Sequence, residues 1–230
     1  MHVSLPLKGK RMFQRIVFSA SIAGLLSGLL VTFLLQVWIT PLIRSAEKFE
    51  IKSTLNTKNH HHDSDSKEHF FSKPFFKTFT ANTITSISFA LLIISTGGFL
   101  KKFDTKKGLF WGIGGFIVFS LMPSMVIDPK LPGDISLTLS KHNLLWLVTT
   151  TCSAIGLLFI IFSKKFIGKL FGLIILTIPH LIPSSIPELK TTKELKIIQE
   201  EFYLSVLITS LIFWSFLGTT SGFFFKKLNS

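Results

Sequence analysis

Long uncharged runs alternate with short charged bridges along this chain. Six stretches carry no Asp, Glu, Lys or Arg: residues 16–43, 78–100, 108–127, 142–163, 170–187 and 202–225, with lengths of 28, 23, 20, 22, 18 and 24 residues. Each reaches the roughly 18 to 20 residues that a helix needs to cross about 30 Å of hydrocarbon. None alternates apolar with polar positions, so the strand pattern of a membrane barrel is missing. A helix is then the element that pairs all its backbone amides within lipid. The pattern predicts an all-α, polytopic helical membrane protein, with residues 1–230 forming a single integral membrane domain. The spans fall near 16–39, 78–100, 108–127, 143–163, 166–182 and 202–225. The fifth is the short one. Pro179, Pro183 and Pro187 stop it near Ile182, so it must begin near Phe166, with Lys169 one turn inside and its ammonium snorkelling outward. Without that segment there are five spans instead of six.

Composition supports this reading, and charge adds an orientation. With 47% hydrophobic residues, 25 Phe and a mean hydropathy of +0.52, the chain is too apolar for an ordinary soluble domain. The net charge of +13 would suit nucleic acid if the basic residues formed a patch, but they are divided by the spans. With six crossings, one set of connections holds Lys8, Lys10, Arg11, Arg15, Lys101, Lys102, Lys106, Lys107, Lys164, Lys165, Lys169, Lys226 and Lys227 against the single acid Asp104. The other set balances twelve basic residues with eleven acids. That asymmetry, about +12 against +1, follows the positive-inside rule and places both termini in the cytoplasm. The expected setting is a membrane crossed several times, with the lipid bilayer as partner and no nucleic acid. Cys152, the one cysteine, lies inside the fourth span, so no internal disulfide forms. The first run is too long for a signal peptide and lacks a small-x-small cleavage site, which argues for an uncleaved helix.

The inner connections at 101–107 and 163–165 are short enough to allow only antiparallel hairpins. The outer ones cover 44–77, 128–141 and 183–201, and within the first of them residues 52–69 have a disordered composition. "KPFFKTF" at 73–79 reads as an interfacial re-entry, with rings at headgroup level. Inside the spans, Ala20, Gly24 and Gly28 recur every four residues beside Ala23 and Ser27, and Gly218 and Gly222 repeat that spacing. Gly112, Gly114 and Gly115 thin the third span. Such stripes let helix backbones approach closely, and they also suit the wall of a narrow polar path.

Potential metal ligands gather on the outer side. "NHHHDSDSKEH" at 59–69 holds His60, His61, His62 and His69, His142 enters the fourth span, and His180 sits in "IPHLIP" near the outer end of the fifth. Glu47 and Glu50 follow the first span and Asp128 the third; in a helix that continues past Pro41, the two glutamates share a face. Imidazole mixed with carboxylate suits borderline divalent ions such as cobalt, nickel, copper or zinc, and the same tract also reads as a solvated loop. The prolines around His180 free backbone carbonyls at membrane depth, where a cavity or protein must receive them. No charged residue lies mid-span, no phosphate-binding glycine loop is present and no nucleophile–base pair stands out, so neither a proton relay, a built-in ATPase nor an enzyme is expected.

The order of motifs resembles the CbtA family of cobalt transporter subunits. The match runs through "FQRIVFSASIAGLLSGLLVTFLLQVWITPLIRSAEKFE" with Pro41, Leu42, Ile43, Glu47 and Glu50, then "GLFWGIGGFIVF", "LPG", "PHLI" and "FWSFLGTTSG". The resemblance implies a multi-pass protein of a bacterial cytoplasmic (inner) membrane, a subunit of a cobalt uptake transporter, tied to cobalamin supply and often paired with a small single-span CbtB-type subunit. It carries metal roles over to Glu47, Glu50 and His180. The cargo would be Co2+, with Ni2+ or Zn2+ as alternatives, and no cofactor would be bound permanently. The expected mechanism gathers ions on the loop histidines, admits them at a mouth of Glu47, Glu50 and His180, and passes them between the glycine-rich helices. The alternative is a scaffold or metal-gathering accessory that moves nothing itself.

Overall fold

A computed structural model of the chain describes residues 5–55, 73–99, 103–127, 129, 139–181 and 193–228. These residues are helical almost throughout. The first helical rod comprises α1 (Leu5–Leu34), a π-helical turn (Leu35–Ile39) and α2 (Thr40–Leu55). Next come α3 (Lys73–Phe99) and a second rod made of α4 (Thr105–Phe116), a π-helical turn (Ile117–Leu121) and α5 (Met122–Val126). α6 (Leu139–Phe162) follows, then α7 (Phe166–Thr177) with a 3-10 turn (Ile178–Leu181), and finally α8 (Lys193–Lys227). Five of the described helices are long and apolar enough to cross a membrane, and Phe166–Leu181 is a sixth, shorter apolar helix. Phe18, Leu29, Phe110, Leu147, Phe166 and Leu204 are among the many large apolar side chains that face outward, as they do where the surroundings are hydrocarbon.

Helices extend further than the uncharged runs. α2 carries the first rod through Arg44 and Glu47 to Leu55, and α3 starts at Lys73, so residues 52–55 and 73–77 are helical where the sequence pattern placed a loop. α8 likewise begins nine residues before its apolar run. A charged side chain ends burial in lipid without ending a helix, because Lys, Glu and Gln are good helix formers. Both π-helical turns have a local cause. Pro41 and Pro123 each lack an N–H, and each ring clashes with the carbonyl four residues earlier, at Val37 and Phe119, inside the respective turn. One extra residue in the turn relieves the clash without ending the rod.

The chain divides into two compact units, Met1–Gln36 with Asp63–Ile113 and Leu211–Ser230, and Val37–His62 with Gly114–Ser210. In the first unit, helices meet backbone to backbone. A Cβ on Gly24 would stand 2.5 Å from the Ile87 Cα, and one on Gly28 would stand 2.7 Å from the Thr83 Cα, so α1 and α3 run antiparallel in contact. Ala20, Ala23, Ala90, Ile93 and Ile94 are sealed in that unit, and Asn82 Nδ2 donates to Thr32 Oγ1 at 3.0 Å across the helix pair. The small residues of α4 and α8 make a second seam: Gly108 abuts the Gly218 carbonyl, Gly112 the Trp214 carbonyl, and Gly222 the Asp104 carbonyl.

Further contacts in the first unit show which helix ends lie together. Met12 reaches Gly98, Phe103 covers Gly97 and stacks edge-on with Phe225 at 5.8 Å, and Gly222 meets Asp104. The start of α1, the bridge before α4 and the end of α8 therefore share one side. Five described helices are long enough to cross, and α7 with its 3-10 turn is the shorter apolar helix that the sixth uncharged run corresponds to. In the second unit α7 lies antiparallel against α6, with Gly156 and Gly172 facing each other and Phe159 edge-on to Phe171 at 5.3 Å. The hairpin is tied where Ser163 Oγ donates to the Lys165 carbonyl at 3.1 Å. From 12 α-helical and 4 3-10 residues, this traverse is about 26 Å long, just short of a hydrocarbon core.

Candidate metal site at proline-broken helix ends

Three breaks in regular α-helix, each next to a proline, lie on the rods that run away from the lysine-rich bridges. Pro41 lies in the first turn of α2; Glu47 is exposed on that helix and Ala46 is buried. Ser45 Oγ donates to the Pro41 carbonyl at 3.0 Å and satisfies one acceptor there. Glu50 belongs to the same helix three residues on, so both glutamates sit at neighbouring register positions, as expected for a helix that continues past Pro41. The Glu50 side chain is outside the described ones.

Pro123 opens α5, which ends at Val126, where Ile127 turns extended and its N–H caps the Pro123 carbonyl at 2.9 Å. Pro179 is buried in the 3-10 turn after α7, and His180 follows it, half-buried. α5 packs against this turn, and both pack against α6. Two helix C-termini thus come together. Each carries carbonyls with no intrahelical donor and a dipole end worth about half a negative charge, a setting that favours a cation and disfavours an anion. His180 brings an imidazole to that point. The sequence signal for the partner end was Pro123, which marks where α5 begins but does not say what α5 touches.

Among the described residues, no three His, Cys, Asp or Glu side chains converge on a point that could hold a metal ion. His60, His61, His62, His69 and Asp128 lie outside the described residues, while His142 is half-buried in the first turn of α6. The small-residue stripes turn out to be packing seams. At Gly24, Gly28, Gly108, Gly112, Gly156, Gly172, Gly218 and Gly222 the opposing helix leaves no room even for a Cβ. Close approach and a polar lumen use the same residues, and at these eight positions the helices are in close approach, whereas a Cβ on Gly114 would meet nothing nearer than 3.8 Å. Polar groups that sequence reading passed over lie on α6, where Thr150 and Ser153 are buried, three residues apart, with hydroxyls that accept and donate no hydrogen bond.

The family model described as probable cobalt transporter subunit (CbtA) matches residues 13–226. This chain belongs to the CbtA family. The match spans both units and every helix described above, so membership in the CbtA family covers the whole membrane domain. As a member of CbtA it is a multi-pass membrane protein and a probable cobalt transporter subunit, and a subunit implies a partner and a metal substrate. No curated protein and no solved structure matches the chain.

Proposed function

We propose that this chain is the membrane subunit of a divalent transition-metal uptake transporter whose cargo is Co2+, serving cobalamin supply in a bacterial cytoplasmic membrane. The lysine-rich side faces the cytoplasm and both termini lie there. The observation that carries the reading is the meeting of the α5 and α7 C-terminal ends, with His180 between prolines at that meeting. His60, His61, His62 and His69 raise the local ion concentration outside, and Glu47, Glu50 and His180 act as ligands at the mouth. Buried hydroxyls at Thr150 and Ser153 continue the polar route on α6. The chain performs no covalent chemistry of its own and holds no permanent cofactor; the metal is cargo. A single-span CbtB-type subunit is its partner.

Energetically, a passive path is enough. An interior-negative potential is worth about 2.3 kcal/mol per charge per 100 mV, hence roughly 4.6 kcal/mol for a divalent ion. That supports accumulation on the order of a thousandfold. Ni2+ and Zn2+ use the same ligand types, so the ligands alone do not select cobalt; family membership does. Radiolabelled cobalt uptake by cells expressing the chain tests the proposal. The triple variant Glu47→Ala, Glu50→Ala, His180→Ala is expected to lose most uptake while accumulating normally in the membrane, and undiminished uptake ends the idea.

One observation favours a second reading. The lack of a convergent three-ligand cluster among the described residues suits an accessory that gathers metal for a partner and does not itself conduct it. Vesicles containing the purified chain alone separate the two, since an accessory leaves cobalt outside.

A further inference from the structure

Where the two terminal helices emerge on the lysine-rich side, the first unit has an open cleft of about 220 Å3, lined by Arg11, Gln14, Arg15 and Phe18 of α1 and by Leu228 just after α8. We infer that this cleft binds the headgroup of an anionic glycerophospholipid, whose acyl chain runs down the outer face of α1.

The residue spacing makes the site. Positions 11, 14, 15 and 18 follow the helical repeat, so two guanidinium groups, an amide and an aromatic ring lie on one face over about 10 Å of rise. Guanidinium forks match phosphate oxygens in a bidentate way that a lysine ammonium does not, and here both are exposed on a side already rich in lysine. The chain holds only three arginines among its 25 basic residues, and two of them line this cleft. Depth is fixed by the neighbours. The apolar stretches of α1 and α8 that cross the membrane start at Arg11 and end at Lys227, so the cleft stands where headgroups stand. Below it, Phe18, Ile22, Leu25 and Leu29 continue the same face at steps of three and four residues, all exposed. A free phosphate has no use for that apolar stripe, whereas a lipid covers both parts. The volume also fits: pockets for whole drug-sized molecules run roughly 300 to 1,000 Å3, and this one suits a headgroup alone. The charge excludes a zwitterionic lipid as the preferred occupant, because its own ammonium would meet the two arginines and the nearby Lys226 and Lys227.

Native mass spectrometry of the full-length chain in micelles, with phosphatidylglycerol or phosphatidylcholine of identical acyl chains, tests the inference. The wild type is expected to retain phosphatidylglycerol about tenfold better. The double variant Arg11→Lys, Arg15→Lys keeps net charge and topology but loses the forks, and its preference should fall to about twofold or less. Lys164→Ala with Lys165→Ala removes more charge elsewhere and should keep the full preference. Phosphatidylglycerol should raise the thermal unfolding temperature, whereas millimolar inorganic phosphate should not. Equal retention of the two lipids by the wild type, or an unchanged preference in the lysine variant, overturns the inference. So does stabilisation by inorganic phosphate that matches the lipid, which would make the cleft a free-anion site.

Discussion

The first unit, with α1, α3 and the glycine seam of α4 and α8, holds its helices by backbone-on-backbone contact along unbroken α-helix. The second unit contains α2, α5, α6 and α7, together with the turns in which prolines interrupt the α-helical ladder. Both units use small residues for closeness, the second at Gly156 and Gly172 and the first along two longer seams. Buried hydroxyls without a hydrogen bond occur in both, at Ser19, Ser27, Thr83 and Ser221 in the first and at Thr150, Ser153 and Thr209 in the second, whereas Pro41, Pro123 and Pro179, which interrupt the α-helix, all belong to the second. What separates the two is where proline interrupts the helix. Pro41 and Pro123 are more than helix ends in this light, since each follows a π-helical turn by two residues and lets the rod continue past it.

The comparison can be broken most sharply at its rigid side. Gly218→Leu places a branched side chain against the Gly108 carbonyl and the Gly112 Cα and should destabilise the fold by more than about 3 kcal/mol, read as lost accumulation and early melting in detergent. Gly98→Ala is its control, since the added Cβ meets nothing nearer than 3.7 Å and helix propensity should repay about 0.5 to 1 kcal/mol. On the other side, His180→Ala should leave the melting temperature within a degree or two while cutting initial cobalt uptake about tenfold, a loss worth about 1.4 kcal/mol. An equal loss of both would erase the distinction between the units. Asn82→Leu removes the hydrogen bond to Thr32 and should cost about 0.6 to 1.7 kcal/mol of stability, measured by the same melts, with uptake per folded molecule unchanged.

The smallest effect concerns pH. Asp104 accepts the Lys107 backbone N–H at 3.0 Å in the first turn of α4, and this bond, ahead of the nearby Lys107 and Lys226 charges, holds its carboxyl below the usual 3.8. A depressed carboxyl stabilises the fold fully above its ordinary value, and the contribution fades as pH falls through the lower native one. Melts of the wild type and Asp104→Asn should therefore differ slightly at neutral pH and converge in strong acid.

Much of this architecture is readable from charge alone. The six uncharged runs became six apolar helices, and the lysine asymmetry that grouped the start of α1, the bridge at 101–107 and the end of α8 is matched by Phe103, Phe225, Met12 and Gly98 meeting in space. The stripe at Ala20, Gly24 and Gly28 announced a close neighbour, but a one-dimensional repeat cannot say whether that neighbour is a helix or an ion path; Ile87 and Thr83, sixty residues away, decide it. The candidate site was legible in part. His180, Glu47 and Glu50 stand out as residue types, whereas the junction of two helix C-termini depends on α5 folding back onto the turn after α7, a long-range contact with no local signature.

The shortness of α7 has a physical consequence for any lipid against it. An apolar helix about 4 Å shorter than a hydrocarbon core is matched by local thinning of the bilayer, which brings headgroups closer to its ends. His180 stands at one of those ends, so the insulating layer next to it is thinner than beside a full-length span.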